Sequence, residues 1–159
     1  MKIAIDLGGT NMRVGLTDGA KLVDSVIKPC PAKEPEEVVL DQLKRQIGEL
    51  MSTDVTGIGV GVPSVVDCKR GIVYNVANIP AWKEVHLKDI LEKEFGVPVA
   101  VNNDANCFAL GAWRYGEGQG TSDMVGLTMG TGIGAGIIIG GKLYNGVNTG
   151  CRRDWLATV

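Results

Sequence analysis

The sequence predicts an α/β fold built on a mixed sheet, and three observations carry that prediction. Short β-rich runs open the chain as a meander, helical and strand patterns then alternate, and a fresh strand pair follows a glycine-rich stretch. The 159-residue length, with 45% apolar and 21% charged residues, suits a globular protein able to bury a core.

Lys2 to Asp6 reads as the first strand, turned by Gly8-Gly9-Thr10 into a second over Met12 to Leu16. The Asp18-Gly19 turn signal leads into a third strand over Lys21 to Lys28, and Pro29 and Pro31 end this meander. Pro35 opens a helix whose positive end carries Glu34, Glu36 and Glu37, and Val39, Leu43, Ile47 and Leu50 share one face of it. Thr56 to Val62 is apolar and reads as a buried strand. A helix over Leu87 to Phe95 closes with Gly96 and Pro98, and Val97 to Val101 is the next buried strand. Asp104 to Tyr115 is helical, Gly116 to Ser122 is a link, and Met124 to Met129 pairs with Ile133 to Ile139. Ile5 to Leu16 and Leu127 to Ile139 echo one another as strand, Gly-Thr turn, strand.

Glycine is the compositional anomaly: 23 residues, about twice the usual ~7%, and 13 of them fall between Gly111 and Gly150. Such glycines serve tight turns or let backbone approach a ligand closely. The turn Asp6-Leu7-Gly8-Gly9-Thr10-Asn11 offers open N–H groups to an anion, two polar side chains, and a carboxylate able to hold a hydrated cation. Gly130-Thr131-Gly132 offers similar groups. Each also reads as a plain hairpin turn using glycine for positive φ. Asn102-Asn103-Asp104 stands where a strand enters a helix: Asp104 there suits a general base for a hydroxyl nucleophile, or simply a helix N-cap. Gly61-Val62-Pro63-Ser64 and Asn78 to Trp82 read as loop walls. Gly136 to Lys142 matches seven positions of a Walker A loop, but Leu143 replaces the hydroxyl residue and the context is a strand turn.

Several classes are excluded. The net charge of −2 and the lack of a basic stripe speak against nucleic acid. The apolar run Ile133 to Gly141 is too short and too glycine-broken to span a bilayer, and the start has no signal peptide pattern. Cys30, Cys68, Cys107 and Cys151 lie far apart and read as reduced thiols of a cytoplasmic protein. His86, the one histidine, has no evident partner in sequence and reads as a surface residue, which argues against Ser–His or Cys–His catalysis.

Taken in order, Ile5 to Asn11, Gly59 to Pro63, Asn78 to Trp82, Val101 to Asn106 and Gly130 to Gly136 resemble the ROK family of sugar kinases and repressors, within the actin-like ATPase superfamily. Asn78 to Trp82 is most similar to its glucokinase branch. The resemblance implies an actin-like (ribonuclease H-like) domain over residues 1–115, a linker over 116–122, and the truncated start of a second similar domain over 123–159. It implies ATP-dependent phosphorylation of a hexose at its 6-hydroxyl by in-line transfer. Asp104 would be the general base, and Asn78, Asn103 and Asp104 would bind the sugar. Asp6, Gly8, Gly9, Thr10 and Asn11 would hold the ATP phosphates, with Asp6 on Mg²⁺ and Gly130, Thr131 and Gly132 opposite. Hexose and ATP would be the partners, and the full-length parent a homo-oligomer. Fructose, mannose, allose, N-acetylated sugars, a polyphosphate donor and a non-catalytic sugar-sensing role stay open. Repressor members carry an N-terminal helix-turn-helix; with a strand beginning at Lys2, the repressor reading lacks its DNA reader. The family often has Gly where this chain has Ser64.

After Gly150 the family continues Gly-Ala-Gly-Glu-Ile-Gly-His, whose Glu and His bind sugar and whose His also ligates a structural zinc. This chain instead runs Cys151-Arg152-Arg153-Asp154-Trp155. Codons for Ala-Gly-Glu-Ile-Gly, read one base early, can encode those five residues, so a frame disturbance is expected over 151–159; a truncated, divergent member is the other reading. Either way Arg153 takes the Glu position and Leu156 the His position. The structural zinc is then expected to be absent, and the 159-residue chain to bind ATP weakly with little kinase activity.

Overall fold

A computed structural model of the chain describes residues 1–130 and 132–146. In chain order the elements are β1 (Lys2–Leu7), β2 (Asn11–Asp18), β3 (Lys21–Pro29), α1 (Glu36–Leu50), β4 (Ile58–Val62), β5 (Val65–Asp67), β6 (Ile72–Tyr74), β7 (Glu84–Val85), α2 (Leu87–Phe95), β8 (Val99–Asn103), α3 (Asp104–Tyr115), β9 (Met124–Met129), β10 (Ile133–Ile139) and β11 (Lys142–Leu143). The expected strands and helices are all present, with ends moved by a residue or two in several. The four additions, β5, β6, β7 and β11, are two or three residues each, too short for a periodic signal.

The central sheet runs β3-β2-β1-β4-β8. Its first three strands are antiparallel, whereas β4 and β8 join β1 in parallel, so the sheet is mixed. Alternation sets its two faces. Ile3, Ile5 and Leu7 stand opposite Leu16, Val14 and Met12, and all six are buried. Val39, Leu43, Ile47 and Leu50 of α1 join them in one core, together with Val60 and Val101. Pro35 precedes the first turn of α1, which carries Glu36 and Glu37 against the exposed N–H groups. Gly96 ends α2 in the left-handed region (φ 67°), its N–H donating to Glu92 O.

Helix α3 lies on the other face of the sheet. A Cβ on Gly61 would stand 3.5 Å from Cys107 Sγ and 3.6 Å from the Asp104 Cα. The hairpin β9–β10, extended by β11, packs on α3 in turn. Here glycine serves packing. A Cβ on Gly126 would fall 2.9 Å from Ala109 Cβ, and one on Gly134 2.9 Å from Ala105 Cβ. At Gly136 it would meet Ala109 Cβ at 2.6 Å and Ala105 O at 2.7 Å. Helix backbone can approach strand backbone this closely only because neither surface carries a larger side chain. Residues 116–122 form a compact turn folded back on α3: the N–H groups of Gly116 and Gly118 both donate to Ala112 O, and Trp113 Nε1 donates to Thr121 O.

Candidate functional site

The parallel register brings the strand ends together. Asp6 of β1 pairs with Gly61 of β4, which pairs with Asn102 of β8, so all three lie in one row at the carboxyl edge. Ligand sites of open α/β sheets gather at this edge. The turn 8–10 and the N-terminus of α3 rise from it.

The first turn differs from a plain hairpin turn. Neither Gly8 nor Gly9 has positive φ, so glycine is not required there for backbone conformation. Close approach explains both: a Cβ on Gly8 would sit 3.0 Å from Asn11 O, and one on Gly9 would sit 2.3 Å from Asn78 Cβ. Asn78 is therefore packed directly over Gly9, joining an expected sugar contact to an expected phosphate turn. Its loop is anchored by Ile79 and Trp82, both fully buried. The Gly8 N–H closes the turn by donating to Asn11 O, and Thr10 O accepts from the Cys30 N–H, whereas the N–H groups of Gly9 and Thr10 donate no backbone bond among the described residues. Asp6 is not solitary: Arg13, directly across the hairpin, donates from Nη1 to Asp6 Oδ2 at 2.8 Å.

Asn103, not Asp104, is the N-cap of α3. Its Oδ1 accepts from the N–H groups of Ala105 (3.0 Å) and Asn106 (3.4 Å), while its Nδ2 donates to Ser64 O at 3.2 Å and Val62 O at 3.5 Å. One amide thus starts the helix and ties down the loop after β4. Ser64, buried within that loop, donates from Oγ to Tyr74 O. Asp104 follows as the first helical residue, half-buried at the carboxyl edge.

The thiol of Cys107 reports the electrostatics here. It stands one turn along α3 from Asp104, and although part of the residue reaches solvent, its pKa is pushed up to about 11. Desolvation is the largest cause, followed by the charges of Asp104, Cys68 and Asp6. Both candidate carboxylates therefore act on one spot. Cys107 and Arg13 were not among the expected site residues. A helical spacing of three from Asp104 and a cross-hairpin register with Asp6 are the signals that place them.

The second turn lies at the same end of α3. Gly134 packs at Ala105, so the hairpin tip extends past the helix N-terminus. Among the described residues no atom lies within 4 Å of an added Cβ on Gly130 or Gly132, and the Gly130 N–H donates to Gly132 O. Thr131 and Cys151, with the expected frame-disturbed stretch 151–159, lie outside the described residues. Cys30, Cys68 and Cys107 form no disulfide, and no cluster of three His, Cys, Asp or Glu side chains suited to a metal occurs among the described residues. His86 is on the surface but does have neighbours: Glu84 Oε1 at 3.4 Å and Asp89 Oδ2 at 3.7 Å. No helix among the described residues is long and apolar enough to cross a membrane.

Comparison with known proteins gives consistent results. The sequence profile of the ROK family matches residues 2–151. A glucokinase of Halalkalibacterium halodurans is 34% identical over 153 residues, covering 92% of this chain and 46% of that protein. A beta-glucoside kinase of Listeria innocua is 38% identical over 156 residues, covering 92% of this chain and 49% of the kinase. Among solved structures, a ROK family glucokinase from Streptomyces griseus in complex with glucose and AMPPNP superposes with a TM-score of 0.84 at 36% identity, over 94% of this chain and 48% of that one. The chain thus spans about half the length of the relatives it matches.

Proposed function

This chain belongs to the ROK family, and on that premise we propose that its site serves phosphoryl transfer from ATP to a sugar, with the 6-hydroxyl of a hexose, glucose first, as acceptor. The observation that carries the reading is the convergence at one sheet edge of Asp6, the turn 8–10, Asn78 packed on Gly9, and Asp104 at the head of α3. The glucokinase relatives, one of them solved with glucose and AMPPNP, support the substrate pair.

Each group has a task in this reading. Asp104 accepts the proton of the sugar hydroxyl as its oxygen attacks the γ-phosphorus; the bond to the bridging oxygen breaks and ADP leaves. We assign the phosphates to the N–H groups of Gly9 and Thr10, which donate no backbone bond among the described residues, and to the second turn with its Gly130 and Gly132. Asn78 orients a sugar hydroxyl. Asn103 holds Asp104 at the helix start, and any sugar contact its amide makes is shared with the four bonds it already forms. The donor set suits Mg²⁺, a hard cation commonly held by one or two carboxylates plus phosphate oxygens. Asp6 would hold it, and when bound it would neutralise charge building on the phosphates. We place the division between two domains at residues 116–122, the turn after α3.

The test is glucose-dependent ADP release by the 159-residue chain beside that of the S. griseus enzyme, together with Asp104→Asn. The chain is expected to turn over far more slowly than the relative. Asp104→Asn should remove on the order of 10²-fold or more of whatever rate exists, with glucose affinity by calorimetry preserved. Turnover unchanged in Asp104→Asn would refute the assignment.

A further inference from the structure

Beside the glycine contacts that seat α3 on the second hairpin, two asparagines each hold a buried oxygen with nothing to bond. Asn106 of α3 is 3% exposed. Its amide orientation is fixed by its neighbours. Asn102 Oδ1 accepts from the Asn103 N–H at 2.8 Å, and Asn106 Nδ2 donates to the same oxygen at 3.0 Å. Asn106 Oδ1 is therefore turned from Asn102, and it is buried without a hydrogen-bond partner. Asn145 Oδ1, two residues past β11, is likewise buried without a partner.

The strand register brings these two oxygens to one seam. Ile139 pairs with Lys142, Ile138 pairs with Leu143, and the Tyr144 N–H donates to Ile137 O at 2.7 Å. One step further, the same register sets Asn145 opposite Gly136, and residues directly opposite share a face. That face is the one against α3. A Cβ on Gly136 would stand 3.0 Å from Asn106 Cα and 2.7 Å from Ala105 O. The order across the helix agrees. Gly126 of β9 meets Phe108 and Ala109, Gly136 of β10 meets Asn106, and Gly141, in the turn before β11, lies nearest Trp113. Asn106 is thus on the β11 side of α3, where Asn145 stands.

A buried acceptor left unpaired is unfavourable, and two brought together also repel. We propose that the seam between Asn106 and Asn145 binds a monovalent cation of the potassium type. The two donors are neutral carbonyl oxygens, and Ala105 O lies at the same seam. Carbonyl oxygens replace the hydration shell of K⁺, whereas Mg²⁺ and Ca²⁺ sites are built largely on carboxylates. The local field has the matching sign, because the charges of Asp104 and Asp6 both reach Cys107, the next residue after Asn106. A bound ion ties the end of β11 to the first turn of α3, two residues from Asp104. The inference rests on the two orphaned oxygens and does not depend on the phosphotransfer reading.

The experiment compares thermal unfolding of the 159-residue chain in KCl and in choline chloride at equal ionic strength. K⁺ is expected to raise Tm saturably, by about 3–6 °C at ten times its half-saturating concentration. Asn145→Leu removes one oxygen and should abolish the rise. Asn145→Asp supplies a carboxylate and should lower the half-saturating K⁺ concentration at least threefold. Each variant is compared with itself in choline chloride, so its own basal stability does not enter. Equal melts of the parent chain in the two salts overturn the proposal and make a buried water the shared donor. A rise that survives Asn145→Leu is a general salt effect and overturns it too, as does an unchanged K⁺ response in Asn145→Asp. Should Asn145→Leu fail to fold, Asn145→Asp decides alone. No readout involves catalysis, so a failure of the kinase reading leaves every outcome interpretable.

Discussion

Gly136→Ala tests whether the glycines of the second hairpin exist to let α3 approach. The added Cβ would stand 2.6 Å from Ala109 Cβ, 2.7 Å from Ala105 O and 3.0 Å from Asn106 Cα. Two of those three neighbours are helix backbone, which cannot rotate away as a side chain can. Relief requires α3 and β10 to separate, loosening contacts on both. Overpacking of this kind costs roughly 1–3 kcal/mol. Were there space, alanine would instead gain about 0.5–1 kcal/mol over glycine from the unfolded chain's lost freedom, so the sign of the effect is diagnostic. For a domain of this length the loss corresponds to a fall in Tm of about 2–4 °C per kcal/mol. Gly48→Ala is the matched control. It lies in α1 with nothing within 4 Å of its added Cβ, so its helix propensity should raise Tm. The assay is thermal unfolding by circular dichroism at fixed protein concentration. A Gly136→Ala melt at or above that of the parent would refute the packing explanation for the glycine excess.

Three further outcomes follow from the site. Asn103→Ala should destabilise the chain by roughly 1–3 kcal/mol, from a lost cap and lost donors to Val62 O and Ser64 O; Asn103→Asp, which keeps the cap but not the donors, should fall between it and the parent in chemical denaturation. Gly9→Ala places its Cβ 2.3 Å from Asn78 Cβ, so the exposed Asn78 loop should move, visible as shifted Asn78 and Ile79 amide resonances, with weakened AMPPNP binding. The folded Cys107 thiol keeps its proton up to about pH 11, against an ordinary value of 9.0. Its contribution to stability is thus present below about pH 9 and is lost as pH rises toward about 11. Cys107→Ala should flatten the stability profile in that window, and iodoacetamide should label Cys107 about 100-fold more slowly at pH 8 than a thiol of ordinary pKa. Rapid labelling at pH 8 would contradict the desolvation, and with it the neighbouring negative charge, placed at this thiol.

Much of the fold was legible because its signals are local. Period-two burial in β1 and β2, Pro35 before α1 and Gly96 after α2 each act within a few residues of chain. The site was legible as a set of motifs, yet the part each residue plays was not. Asp104 and Asn103 both suit a helix start by composition, and only the bond directions assign the cap to Asn103. Gly8 and Gly9 read equally as positive-φ turn residues, and only the contact with Asn78, some seventy residues away, gives Gly9 its reason. His86 has no partner within a motif, but Glu84 and Asp89 come beside it where β7 meets α2.

By itself, the sequence determined the α/β class, the order of the major elements, the likeness in pattern of the two glycine turns and the membership implied by five ordered motifs, because hydrophobic period and turn chemistry are written along the chain. Only the tertiary structure decided which carboxylates share a field, that Arg13 sits on Asp6, and that most glycines of the second hairpin admit a helix rather than a ligand. Those properties depend on distances between residues remote in sequence, where an ångström separates contact from collision.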